Sequence, residues 1–495
     1  MSVLEVNPEH FSECDGGTEL ERNNQRPQES GGNLRTWINA QNDPFILKFP
    51  PEISSYIFCL SMDASSYELS KKLPTPFLLG SICHGWRLLA QSTPELWSIL
   101  SFTLEKPTKP EGLSKLHAVS DWLKLSGAPP LTLRVFNYAG PDSFSQDGCD
   151  PVINILNQHS GRWHTLLLHL PAPLLGRFYG TSSPSVLCDL NILRYYSHDI
   201  DIVSPTFKMH SRPSPTHLTI WCPLSPISTF DIAWDNLTSL KLALTIFDGC
   251  IEVILKAPQL EFCSMDLIAN GLFQNLPIPK TVVRHTHLRT LELTRFSAIL
   301  PRFFDGLELP SLETYDYQTS LDDLEITMDA MISLLNRSGA HLKKLTFDID
   351  GPCERPNLKL LDATPRLQHL HLEFYYSFSA PIIHDIFERL SSSPPLLEGN
   401  VPGFLPDLQT LTVSARGLSM WACIPRLFSW PHRKFLRLEV KRVDDKIEID
   451  NDTLRKILRL VDDGASIRIL GWNRDYLQQF KESSHEANLR WRLNR

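Results

Sequence analysis

The sequence predicts an α/β fold: a small N-terminal helical unit, then a solenoid with a curved parallel sheet. Three observations predict it. "NLTSLKLAL", "APQLEFCSMDL", "HLRTLELTRF", "PSLETYDYQ", "HLKKLTFDI", "RLQHLHLEF" and "DLQTLTVSA" share one LxxLxL frame, with aromatic, Cys or Met substitutions. Helical stretches such as "CIEVILKAP", "TMDAMISLLNRSGA" and "PIIHDIFERLSS" precede several of them, giving a strand and a helix about every 23 to 41 residues. Nearer the N-terminus, Ile53, Ile57 and Leu60 recur at i, i+4 and i+7, the spacing of one helical face.

Taken in order, the chain opens with a tail over residues 1–43 containing "ERNNQRPQESGGN", too poor in apolar residues to offset the entropy of ordering, so it is expected to be disordered. A first helix starts at Pro50 or Pro51, where a missing N–H does no harm, and ends before "ASSYELSKKLPTP". A second carries Leu78, Leu79, Ile82, Cys83, Trp86, Leu89 and Ala90 on one broad face. "STPELW" starts a third element, with Ser92 or Thr93 as N-cap, Pro94 at the first position and Trp97 turned back to the second helix. These helices define a domain over 44–104, and the repeats one over 105–495. In the repeat domain "DNDTLRKILRLVDDGASIRILGWN" supplies a last helix and strand to cap the stack. Each repeat leaves a face unburied until a neighbour stacks on it, the logic of a leucine-rich-repeat-like solenoid. The Asn or Cys of regular repeats is missing, with Phe296 and Tyr375 in such places.

Composition narrows the function. With 42% hydrophobic and 21% charged residues the chain has the balance of a globular protein. Its net charge of -8, without clustered Lys and Arg, argues against a sequence-independent grip on nucleic acid. The ten cysteines show no CxxC pair or zinc-site spacing and read as reduced, mostly buried thiols. With no secretory leader and no apolar run of about 18 residues, a cytoplasmic or nuclear protein away from the membrane is expected.

The helical region resembles a known family. "FPPEISSYIF" followed by "SICHGWRLLAQSTPELW" resembles the F-box, whose pattern is Leu-Pro-x-Glu-Leu-x-x-x-Ile-Phe, then Cys-x-x-Trp-Arg-x-Leu-Ala and a closing Leu-Trp. Pro50, Glu52, Ile53, Ile57 and Phe58 match the first half; Cys83, Trp86, Arg87, Leu89, Ala90, Leu96 and Trp97 match the second. Phe49 replaces the usual Leu. The long link "DASSYELSKKLPTP", with "LHAVSDWLKLSGAPPLTLRVF" and "ILNQHSGRWHTLLLHLP", resembles F-box proteins of mushroom-type fungi, so the likeness covers roughly residues 45 to 170. It implies a non-catalytic substrate receptor that docks on a Skp-type adaptor, and through it a cullin, so that a target protein is presented for ubiquitination. The adaptor anchors it implies are Pro50, Ile53, Ile57, Phe58, Leu79, Ile82, Trp86, Leu89, Leu96 and Trp97.

In an LxxLxL strand the leucines point inward and the residues between them line the concave face. Its polar members are Lys241, Asp266, Glu292, Asp316, Lys344, Asp348, His369, His371 and Glu373, the expected target-binding set. Its five carboxylates, on adjacent strands, are expected to sum to one field that attracts a basic target. Two rival readings stand beside the receptor: an adaptor-independent repeat scaffold, and a metal-dependent enzyme using the zinc-type donors His369, His371 and Glu373 at i, i+2 and i+4. The second is the weaker, since no other element supplies an obvious partner. No phosphate loop, nucleophile elbow or dinucleotide fingerprint is present, and neither a cofactor nor a resident metal is expected.

Overall fold

The computed structural model describes residues 45, 48–62, 75–104, 109–137, 149–193, 206–222, 227–244, 248–267, 282–295, 300–320, 324–350, 359–374, 380–392, 403–442, 449–471 and 475–481. The tail over 1–43, Phe296 and Tyr375 lie outside them.

Among the described residues, one sheet of fourteen strands runs from Ile99 to Ile469. The strands are β1 (Ile99–Thr103), β2 (Leu131–Phe136), β3 (Trp163–His169), β4 (Asp189–Leu193), β5 (His217–Trp221), β6 (Ser239–Leu244), β7 (Phe262–Leu267), β8 (Thr290–Thr294), β9 (Thr314–Ser320), β10 (Lys344–Asp350), β11 (His369–Phe374), β12 (Thr410–Ser414), β13 (Arg437–Lys441) and β14 (Ile467–Ile469). They lie side by side in chain order and every neighbouring pair is parallel. Strand starts are spaced from 22 residues (217 to 239) to 41 (369 to 410). Such a sheet needs a crossover after each strand, and among the described residues helices fill many of them. Phe207–Lys208 with Phe230–Asp231, and Val283–Arg284 with Leu307–Glu308, form two small separate sheets.

Alternation explains the strands. On β6, Leu240 and Leu242 are buried while Lys241 between them is exposed. On β11, Leu370, Leu372 and Phe374 are buried while His369, His371 and Glu373 are half-buried on the other face. The buried residues join those of the crossover helices in one core cluster, which leaves the opposite face of the sheet, among the described residues, free of helices. The main helices are α1 (Pro51–Leu60), α2 (Thr75–Ile82), α3 (His84–Gln91), α4 (Lys109–Leu125), α5 (Asp150–Gln158), α6 (Asp248–Lys256), α7 (Leu324–Ser338), α8 (Ala380–Ser392), α9 (Cys423–Ser429) and α10 (Asn451–Asp462). Just beyond α7 and α10 stand Gly339 and Gly464 at φ 62° and 97°, a left-handed stop that a Cβ would strain. The Asp450 carboxylate caps α10 by accepting from the N–H groups of Asp452 and Thr453 at 3.1 and 2.9 Å, and β14 closes the sheet after it as expected.

Two features differ from the sequence reading. The expected single second helix is two, because Cys83 is extended (φ -154°) and its Sγ accepts from the Trp86 N–H at 3.5 Å, starting α3 afresh. The sheet begins at Ile99, on the near side of the boundary drawn at 104, so the helical unit and the sheet share a core. Phe77, Trp97 and Trp122 are its hinge: their ring centroids lie 5.0 to 5.6 Å apart. The Trp97 indole donates to the Ala90 carbonyl and the Trp122 indole to the Trp97 carbonyl, both at 2.8 Å. Both indoles are thereby satisfied inside an apolar core.

Candidate protein-docking faces

The helical unit presents the first face. Fourteen large apolar residues are exposed among those described, and eight of them lie between positions 49 and 88: Phe49, Ile53, Tyr56, Ile57, Leu60, Leu78, Ile82 and Leu88. Ile53, Tyr56, Ile57 and Leu60 form one stripe of α1, and Leu78 and Ile82 stand one turn apart on α2. Clustered apolar exposure of this kind, unlike a scattered exposed Leu, marks a contact surface.

Of the ten anticipated anchors, Pro50, Ile53, Ile57 and Ile82 are exposed. Trp86 is half-buried, its ring 5.0 Å from Phe45 and 4.9 Å from Phe58. Phe58, Leu79, Leu89, Leu96 and Trp97 are buried in the core and cannot present their side chains to a partner, so their place on the anchor list is corrected. They hold the helices together instead. Phe49, Tyr56, Leu60, Leu78 and Leu88 are missing from that list but exposed. The 3.6-residue period was the signal for Tyr56 and Leu60, which extend the stripe begun by Ile53 and Ile57.

The second face is the helix-free side of the sheet, which holds all nine anticipated target residues in aligned rows. Lys241, Ser264, Glu292, Asp316, Thr346 and His371 are paired in register across β6 to β11, with Asp266, Asp348 and Glu373 one step further along their strands. The expected continuous acidic field is interrupted, however. Arg295 pairs with Asp266 and Arg442 with Glu373, each at 2.5 Å, and the Gln318 amide donates to Asp348 at 2.6 Å. Both arginines directly follow a strand and sit at positive φ, 61° and 55°, which folds them back over the sheet. Lys241 lies over the Phe262 ring at 5.6 Å, and Lys344 is exposed. What remains least compensated is Glu292 and Asp316, directly opposite each other on β8 and β9.

That juxtaposition changes Asp316. Burial first, then the Glu292 charge, pushes its carboxyl up to about 6, against a hydrogen bond from Thr346 and the charge of Lys344. A carboxyl raised above its unfolded value binds more protons folded than unfolded between pH 4 and 6, so its contribution to stability falls as pH rises through that window. Asp316→Asn should therefore be the more stable at pH 7, by about 1 kcal/mol after discounting for screening, with the gap closing by about pH 4. Urea titrations of both proteins across this range check it; a pH-independent difference would mean that the Asp316 carboxyl is not held above its unfolded value by burial and Glu292.

The donors of the metal reading are differently engaged. His369 Nδ1 is 2.7 Å from the Thr410 hydroxyl, His371 Nε2 is 3.6 Å from a Glu373 oxygen, and that carboxylate also holds Arg442. Burial pulls the His371 imidazole down from its ordinary range more than Glu373 raises it. Among the described residues these three do not form a cluster of converging ligand atoms. Nor, among them, is any helix long and apolar enough to cross a membrane. No family model matches the chain, and no curated protein matches it either.

Proposed function

We propose that this chain is an F-box substrate receptor: α1, α2 and α3 dock on a Skp-type adaptor of a cullin-RING ubiquitin ligase, and the sheet domain holds a target protein. In this reading the chain does no chemistry itself. The observation that carries it is the apolar surface at Phe49, Ile53, Ile57 and Ile82, which stays exposed beside a sheet whose own leucines are buried. A cap that merely closed the end of a solenoid would turn that surface inward, because exposed apolar area is removed from water wherever packing allows. The helix-free face, with its charged rows beside the exposed Trp221, is the target side. The adaptor and target surfaces lie on different elements, as a bridging subunit requires.

The test is co-expression with a Skp-type adaptor, followed by size-exclusion chromatography. The expected result is co-elution as a 1:1 complex that survives moderate salt, since the contact is apolar rather than ionic. If the two elute apart, the reading fails and an adaptor-independent repeat scaffold takes its place.

A further inference from the structure

On the helical side of the sheet, away from both faces, α8 and α9 pack together. His384 and Glu388 stand at i and i+4 on α8, so they share one helix face. Cys423, the first residue of α9, lies against them, and one ligand atom from each of the three falls within 4.8 Å of the others. The Cys423 thiol donates to Glu388 Oε2 at 3.3 Å. Arg426, one turn along α9, donates Nη1 to Glu388 Oε1 at 3.1 Å and Nη2 to Oε2 at 2.5 Å, with Nη2 also 3.4 Å from Cys423 Sγ. A cationic group already sits among these donors.

We propose that His384, Glu388 and Cys423 are the ligands of a zinc-class divalent cation that clips α8 to α9, with the Arg426 guanidinium standing in the cation's place. The donor chemistry selects the metal. A thiolate and an imidazole beside one carboxylate suit zinc or cobalt, whereas magnesium and calcium require oxygen ligands throughout. The spacing agrees. Tetrahedral bonds of about 2.3 Å to sulfur and about 2.0 Å to oxygen separate those two ligands by about 3.5 Å, close to the thiol–carboxylate distance seen here. Cys423 is buried while His384 is exposed, which leaves a solvent-side position for water as fourth ligand. Binding replaces two things: the thiol proton, which leaves to solvent as the metal–sulfur bond forms, and the guanidinium, which is half-exposed and can swing outward. With a neutral imidazole, one carboxylate and one thiolate, the divalent charge is balanced.

The experiment adds Co²⁺ to the metal-free full chain under reducing conditions, then Zn²⁺. The expected result is one equivalent of bound cobalt with a thiolate-to-metal charge-transfer band, bleached by one equivalent of zinc. Cys423→Ser should remove the band. His384→Ala, a change at an exposed position that leaves the fold intact, should weaken binding by more than about tenfold, the lower bound seen even for disturbed outer-shell partners. Arg426→Ala should keep the band and bind at least as tightly, which a purely structural role for the cluster would not produce. Absence of the band in the native chain, its survival in Cys423→Ser, or unchanged affinity in His384→Ala overturns the proposal.

Discussion

Replacing Ile57 with Asp is expected to abolish capture by a Skp-type adaptor while leaving the rest of the chain folded. Ile57 is 37% exposed and Ile53, one turn earlier on α1, is 46% exposed, so a carboxylate at position 57 remains solvated in the free chain. Surface changes of this kind usually alter stability by about 0.5 kcal/mol or less. In the proposed complex the same carboxylate would be buried without a partner against an apolar surface, at a cost of about 3 kcal/mol or more, a loss of roughly 100-fold or greater in affinity. The contrast is Phe58, the next residue, which is 1% exposed and stacks on Phe45 with ring centroids 5.5 Å apart. Phe58→Asp would lose adaptor binding too, but by unfolding the helical unit, so it tells nothing about the face. The measurement is adaptor pull-down alongside circular dichroism of the purified variant. A folded Ile57→Asp protein that still recovers the adaptor at the native level would remove α1 from the interface.

The difference between positions 57 and 58 also marks what the sequence could convey. Hydrophobic period identified the strands because one side of a parallel sheet must be packed, so Leu240 and Leu242, or Leu370 and Leu372, alternate with polar residues whatever lies elsewhere in the chain. It also identified the helices, but not which apolar stripe faces in. Period carries direction only relative to the helix itself, whereas the choice between core and surface is made by what packs on it. Resemblance filled that gap for Pro50, Ile53, Ile57 and Ile82 and misassigned Phe58, Leu79, Leu89, Leu96 and Trp97, whose apolar pattern is equally a core signature. The break at Cys83 was hidden because apolar residues continue at helical spacing on both sides of it.

Electrostatics was less legible still. Arg295 and Arg442 neutralise Asp266 and Glu373 because each leaves its strand in a left-handed turn, a backbone state that no residue type announces outside Gly, Asn and Asp. The cluster at α8 and α9 was half visible: "HDIFE" places His384 and Glu388 at i and i+4, but Cys423 joins them only through the packing of two helices.

The missing Asn or Cys of regular repeats raises the question of what ties one repeat to the next, and the structure answers with arginines. Arg162, just before β3, donates to the Ser126 and Pro129 carbonyls at the turn before β2. Arg337, at the end of α7, reaches back to the carbonyls of Phe304 and Leu307. Arg433, just before β13, donates Nη1 to Leu405 O at 2.6 Å and Nη2 to Phe404 O at 2.7 Å, at the turn before β12. In each case a planar fork satisfies carbonyls at the end of an element or in a turn, which a point-like ammonium would do less well.

Arg433 is the extreme member, and its replacement by Leu is expected to be the most destabilising of the three. Its side chain is fully buried, no carboxylate among the described residues forms an ion pair with it, and burial pulls the guanidinium down to about 10, nearer than usual to losing its charge. Two opposed terms decide the outcome. An apolar side chain here would relieve the protein of a buried charge, the gain that makes some buried ion pairs replaceable by apolar residues. Against this, the Phe404 and Leu405 carbonyls would lose charge-assisted donors in a place that water does not reach, about 1 to 3 kcal/mol each, and the shorter side chain would leave a cavity. The second term is larger, because two carbonyls left without donors and a cavity together outweigh a charge whose cost those carbonyls already offset in part, its buried Nε–H finding no partner among the described residues, so a net loss of about 3 kcal/mol is expected. Arg162→Leu should cost less, about 1 to 2 kcal/mol, since its group is only part-buried. Repeat stacks can open locally, so the measurement is hydrogen exchange at the amides of β12 and β13 rather than a single unfolding midpoint. Faster exchange there, with β2 and β3 unchanged, is the expected pattern for Arg433→Leu, and the reverse for Arg162→Leu. An Arg433→Leu protein protected as well as the native chain would mean that the buried charge, not its hydrogen bonds, dominates at this turn.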